Sequence, residues 1–215
     1  SLLMGSRPVQ PTAEYVLERL QEGNARFVRG ELSHPHQDVA RRDELTGGQF
    51  PFTTIFGCAD SRTPPEHIFD LGLGDAFVVR TAGQVLDDGA LGSLEYSITQ
   101  FKTPVLIIMG HQSCGAVQAT CSSVESGQLP GGFITRVVET IQPTVLAQEL
   151  PHGEKPSQYV NEMVRAHTSA TASRLLQESR IIADAVARGE TIVLGYFYHL
   201  DSGTVDIVFD SREMK

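Results

Sequence analysis

Hydrophobic and polar positions along this chain fall into two alternating periods. Over 12–30, "TAEYVLERLQEGNARFVRG", Tyr15, Val16, Leu20 and Phe27 recur at helical spacing behind the capping residue type Thr12, which predicts an amphipathic N-terminal helix. "FTTIFGC" is short, β-branched and aromatic; it reads as a buried strand over Phe52–Gly57 that delivers Cys58 to its carboxyl end. "AFVVRTAG" reads as a second strand entering a glycine turn, and in "DDGALGSLEYSITQF" Leu91, Leu94, Ile98 and Phe101 restore the helical period. "TPVLIIMGH" is the clearest strand, ending at Gly110 with His111 at its carboxyl edge, and "SCGAVQATCSSV" predicts a helix from about Ser113.

Helical patterns then cover 133–150 and 157–188, with "LPGG" and "PHGEKP" as breaks. "TIVLGYFYHL" and "TVDIVF", joined by "DSG", predict a closing antiparallel hairpin. Strands alternating with helices in this way predict an α/β fold: a mostly parallel central sheet with an antiparallel edge strand, flanked by helices. No Gly/Ser or Pro linker divides the 215 residues, so residues 1–215 are expected to form a single domain. Residues 1–11 are expected to be flexible or in part a cloning remnant.

Charge narrows the partners. Lys plus Arg at 17 against Asp plus Glu at 26 gives −9 and a pI near 5.2, with no basic run, which argues against nucleic acid and against an anionic membrane surface. No apolar run approaches the length of a bilayer span. Three cysteines form no disulfide framework and suit a reducing compartment, so a cytoplasmic location is expected.

The chemistry gathers at two strand ends. In an open parallel sheet, ligands bind outside the carboxyl ends of the strands, where both Cys58 and His111 are expected. Should those two strands be neighbours, Cys58, His111 and Cys114 can converge, and two thiolates with one imidazole make a zinc set that leaves one position open. Cys58 alone is more often a small core residue, Cys114 alone is ambiguous because a helix start activates a thiol without metal, and His111 alone is more often a hydrogen-bonded structural histidine; their coincidence shifts the reading. Cys121, two turns beyond Cys114, is assigned to the core. Asp60 is close enough either to occupy the fourth position or to turn away and pair with Arg62.

"CADSR" at 58–62 with "GHQSCGA" at 110–116 closely resembles the β-class carbonic anhydrases, and the likeness extends through "LQEGNARFVRG", "GLGDAFVVRTAG", "GSLEYSI" and "LGYFYHLDSG". The resemblance implies one Zn2+ per subunit held by Cys58, His111 and Cys114, with Asp60 as an exchangeable fourth ligand and Asp60/Arg62 as a gating and orienting dyad. It implies reversible hydration of carbon dioxide to bicarbonate by a zinc-bound hydroxide, and a homodimer or tetramer whose N-terminal helices pack on the partner. It also places Gln49 where relatives reach the substrate across the subunit interface. Ala82, Gly83 and Gly115 are expected to wall an apolar niche for carbon dioxide. Some relatives hold inhibitory bicarbonate between a Trp, an Arg and a Tyr; Arg80 and Tyr198 match, but Ile55 replaces the Trp, so that pocket is not expected to work here. The alternatives are a closed zinc or bicarbonate-sensing site, or hydrolysis of carbon disulfide or carbonyl sulfide on the same fold. A nucleobase deaminase would need His-x-Glu together with Pro-Cys-x-x-Cys, and that pair does not occur.

Overall fold

The computed structural model describes residues 8–214. Its five-stranded sheet has the order β2-β1-β3-β4-β5, built from β1 (Thr53–Cys58), β2 (Ala76–Thr81), β3 (Val105–His111), β4 (Ile192–Tyr198) and β5 (Val205–Asp210). The first three pairings are parallel and β4 with β5 is antiparallel. From β1 the chain steps outward to β2, then returns to place β3 on the other side of β1. The strand order therefore reverses between β1 and β3, and the crevice at their carboxyl ends is the switch point where α/β sheets bind ligands. The register sets Gly57 opposite Met109, so Cys58 and His111 end within a residue of the same level.

Eight α-helices accompany the sheet among the described residues: α1 (Ala13–Arg29), α2 (Val39–Glu44), α3 (Pro65–Ile68), α4 (Asp88–Phe101), α5 (Gly115–Ser126), α6 (Ile134–Leu146), α7 (Val160–Glu178) and α8 (Arg180–Ala187). Alternation along β3 feeds two cores, because successive strand side chains point to opposite faces. Ile107 and Met109 join Val16 and Leu20 of α1 on one face; Leu106 and Ile108 join Leu94 of α4, Leu175 of α7 and Ile182 of α8 on the other. Thr12 caps α1 by accepting the Tyr15 amide, and Gly30 ends it in the left-handed region at φ 70°. No helix of the described residues is long and apolar enough to cross a membrane.

Several sequence expectations shift. The first strand lies one residue later than Phe52–Gly57 and takes in Cys58, and β3 takes in His111. The helix expected from Ser113 starts at Gly115, since Ser113 adopts φ 56° and cannot continue it backwards. Tyr15 lies on the outer side of α1, half exposed, rather than in the core. The helical stretch over 157–188 breaks at Ser179, whose hydroxyl accepts the Ile182 amide and so caps α8. The expectation for residues 1–7 lies outside the described residues, while Gln10 donates to the carbonyls of Pro51 and Phe101, so the docked chain begins before Thr12.

One close approach governs the site's support. Gly110 lets α7 close on β3: a Cβ there would strike the Thr168 hydroxyl and sit 2.8 Å from Val164 Cγ1 and 3.0 Å from Gln84 Nε2. Gly110→Ala should destabilise the fold by about 1–3 kcal/mol. Urea denaturation of the variant beside the native protein checks this.

Candidate metal centre

Three side chains meet in the crevice. Cys58 at the end of β1, His111 at the end of β3 and Cys114 just before α5 bring their ligand atoms within 4.8 Å of one another, and all three are buried. Donor atoms around a tetrahedral zinc stand about 3.6–3.8 Å apart, so small side-chain movements suffice to share an ion. The histidine supplies the sharpest test of fit. Its Nδ1 lies 2.8 Å from the Gln112 carbonyl and must donate to it, which leaves the Nε2 lone pair pointing inward. That Nε2 is buried without any hydrogen-bond partner. A stranded polar atom facing two sulfurs is costly in a protein alone and is satisfied by a metal ion, and the carbonyl on the far nitrogen is the usual orienting partner of a ligating imidazole. The donor set therefore fits Zn2+.

The electrostatics favour a thiolate. The Cys114 thiol hydrogen-bonds Cys58 and, against burial, lowers it to about 4 with help from His111 and the Asp60 and Gly83 amides. Cys114 moves the opposite way, raised by its bond to Cys58 and by burial: one proton is shared between two sulfurs until a cation replaces it. Burial lowers the His111 pKa, but the nearby Cys58 sulfur, together with the Gln112 carbonyl, outweighs it and the net direction is upward. Cys121 is fully buried in the same apolar cluster, without a ligand partner, and burial pushes its thiol up to about 11.

Asp60 turns away from the cluster. Its Oδ1 accepts Nε and the backbone amide of Arg62 at 2.9 Å, and its Oδ2 accepts NH2 at 2.7 Å. These bonds hold its carboxyl down at about 2. Its Oδ2 nevertheless stands only 3.8 Å from His111 Nε2, so a small rotation would carry it into the metal position. Arg62 also donates to the Ser113 carbonyl at 3.3 Å, linking the two ligand loops.

The remaining candidates separate. The Gly83 amide donates to Cys58 Sγ at 3.2 Å, and its missing Cβ would point at Ala116 rather than into an open niche. Ala82 and Gly115 are exposed beside the crevice, with open space at Gly115. Gln49 precedes β1 and lines a different hollow with Arg41, Phe50 and Phe101. Five strand residues precede Cys58 in β1, a rise of about 17 Å, so Gln49, before the strand, does not reach the cluster of its own chain.

Three supporting roles escaped the sequence reading, in which Arg80 figured only as part of a bicarbonate pocket. Arg80 donates to the carbonyls of Cys58 at 2.8 Å and Asp60 at 2.6 Å, clamping the first ligand loop. Asn161 of α7 accepts the Ser113 amide at 2.9 Å and holds the left-handed turn between His111 and Cys114. His167 reaches the Gly83 carbonyl. Ile55 is fully buried in the core, with Tyr198 in the same cluster.

A family model described as "Carbonic anhydrase" matches residues 53–205. A carbonic anhydrase of Mycolicibacterium smegmatis is 44% identical over 189 residues, which is 87% of this chain and 89% of that protein. Among solved structures, a Coccomyxa β-carbonic anhydrase in complex with acetazolamide gives a TM-score of 0.67 at 24% identity, covering 90% of this chain and 84% of that one. One of two tetrameric β-carbonic anhydrases from Sordaria macrospora gives 0.66 at 22%, covering 90% and 96%. At these identities the solved structures establish the shared fold.

Proposed function

The chain belongs to the β-class carbonic anhydrases, and from that membership we propose that it is a zinc carbonate dehydratase, interconverting carbon dioxide and water with bicarbonate and a proton. The observation that carries this reading is the buried, unpartnered His111 Nε2 facing the sulfurs of Cys58 and Cys114. Held by those three residues, one Zn2+ per subunit would acidify water so that hydroxide attacks carbon dioxide near neutral pH. Arg62 keeps Asp60 away from His111 Nε2 and orients its carboxylate, which can accept a hydrogen bond from the reacting water. Rotation of Asp60 onto the fourth position would close the site, which makes the pair both gate and orienter. Ala82 and Gly115 offer small walls for an apolar substrate, whereas Gly83 acts through its amide on Cys58. Stopped-flow hydration of carbon dioxide, with zinc quantified on the same sample, tests the proposal: activity proportional to bound zinc supports it, and zinc-loaded protein without hydration refutes it.

Activity should rise from pH 6 to 9. Two thiolates give the ion more negative charge than imidazoles would, so the reacting water loses its proton at higher pH. Asp60 does not cause the rise: a carboxyl held at about 2 protonates only in strong acid and keeps one charge throughout this range. A flat stopped-flow profile between pH 6 and 9 would contradict this assignment.

On this reading the enzyme is a homodimer or a tetramer with α1 packed across the interface. Gln49, remote from the cluster of its own chain, would bond the substrate anion from the partner subunit, the role that family membership implies for it. The described cysteines are all free, in keeping with a cytoplasmic, reducing location.

A further inference from the structure

Behind the cluster, α7 grips the turn that follows β2. His167 is buried, and its Nε2 lies 2.7 Å from the Gly83 carbonyl. A carbonyl only accepts, so this nitrogen carries the proton. One residue further along each element, Gln84 Nε2 donates to Thr168 Oγ1 at 3.2 Å. The gripped turn is unusual: Gly83 has φ 63° and Gln84, a non-glycine, has φ 41°. Consecutive left-handed residues persist only where the surroundings hold them. The product of that conformation is the Gly83 amide aimed at Cys58 Sγ, 3.2 Å away.

We propose that His167 is a positioning residue for the metal centre: by holding the Gly83 carbonyl it keeps the turn in the conformation that directs the Gly83 N–H onto the Cys58 sulfur. The inference rests on the zinc reading and adds a buried support that the metal ligands lack on their own loops. An N–H donated to the sulfur fixes the direction of its lone pairs, so an ion would meet a ligand already aimed. A neutral imidazole is enough for this, and burial lowers the His167 pKa to keep it so.

A merely structural histidine and a positioning one differ in what the metal feels. His167→Leu removes the donor, while His167→Gln keeps an N–H at a similar reach along the helix side chain. Zinc release to an excess of chelator should be about 10–100-fold faster from His167→Leu than from the native protein. His167→Gln should restore slow release. In native protein loaded with 113Cd, the Gly83 amide proton should show scalar coupling to the metal through the sulfur; the coupling should persist in His167→Gln and vanish in His167→Leu. A folded His167→Leu that releases zinc at the native rate overturns the proposal, as does a folded His167→Gln no better than leucine. If leucine at 167 prevents folding, the coupling decides: its absence from the native protein, or from a folded His167→Gln, overturns the proposal. Native protein that takes up neither zinc nor cadmium would overturn the metal reading itself, an outcome distinct from metal uptake with unaltered release.

Discussion

Cys58→Ser or Cys114→Ser is expected to reduce bound zinc from about one ion per chain to near none and to bring carbon dioxide hydration close to the uncatalysed rate. A serine hydroxyl has nearly the shape of the thiol, so packing around Val117 and Phe197 should survive. It does not ionise near neutral pH, however, and a divalent ion left with one thiolate and one imidazole is weakly held. The loss should be as severe for either cysteine, because each sulfur supplies one of only three donors. Cys121→Ser is the control: it lies in the same buried cluster, without a ligand partner, and should keep zinc and activity. Elemental analysis with circular dichroism on the three variants checks the set. Full zinc in either ligand variant, or zinc loss in the control, would defeat the assignment.

Asp60→Asn is the second large effect, and it separates binding from turnover. The amide retains an oxygen for Arg62 but loses the charge that orients the reacting water through a hydrogen bond. Zinc should stay, since Cys58, His111 and Cys114 are untouched, while hydration should fall by about 10²–10³-fold, the usual range for losing one preorganised polar contact to the reacting atoms. Arg62→Ala should fail differently. The Arg62 side chain supplies two of the three hydrogen bonds that hold Asp60 away, and with only the backbone amide bond left the carboxylate can cross the short gap to the position near His111 Nε2. The variant should be inactive over a wider pH range and, with cobalt in place of zinc, show the spectrum of an added carboxylate ligand. Native kinetics in Arg62→Ala would show that the pair is no gate.

Strand identities were legible in the chain because β1 and β3 are buried on both faces and therefore read as continuous apolar, β-branched runs ending at Cys58 and His111. Their adjacency was legible only as a condition: no local pattern says which strands pair, and the order β2-β1-β3 supplies the convergence. Element ends were less readable. The apolar period of "LLQESRIIADA" runs straight through Ser179, and only the cap bond to Ile182 reveals the break. Supporting residues left almost no trace. Arg80, Asn161 and His167 act through hydrogen bonds to residues 20 to 84 positions away, so their roles exist only once the sheet and α7 are assembled. Gly83 was read as a small wall; its positive φ and its amide, rather than its size, are what the site uses.

X-ray absorption at the zinc edge of the purified protein near pH 8 addresses the coordination itself. Two sulfurs at about 2.3 Å and two nitrogen or oxygen neighbours at about 2.0–2.1 Å are the predicted shell. A shell with no sulfur, one with four sulfurs, or protein that carries no zinc at all would contradict it.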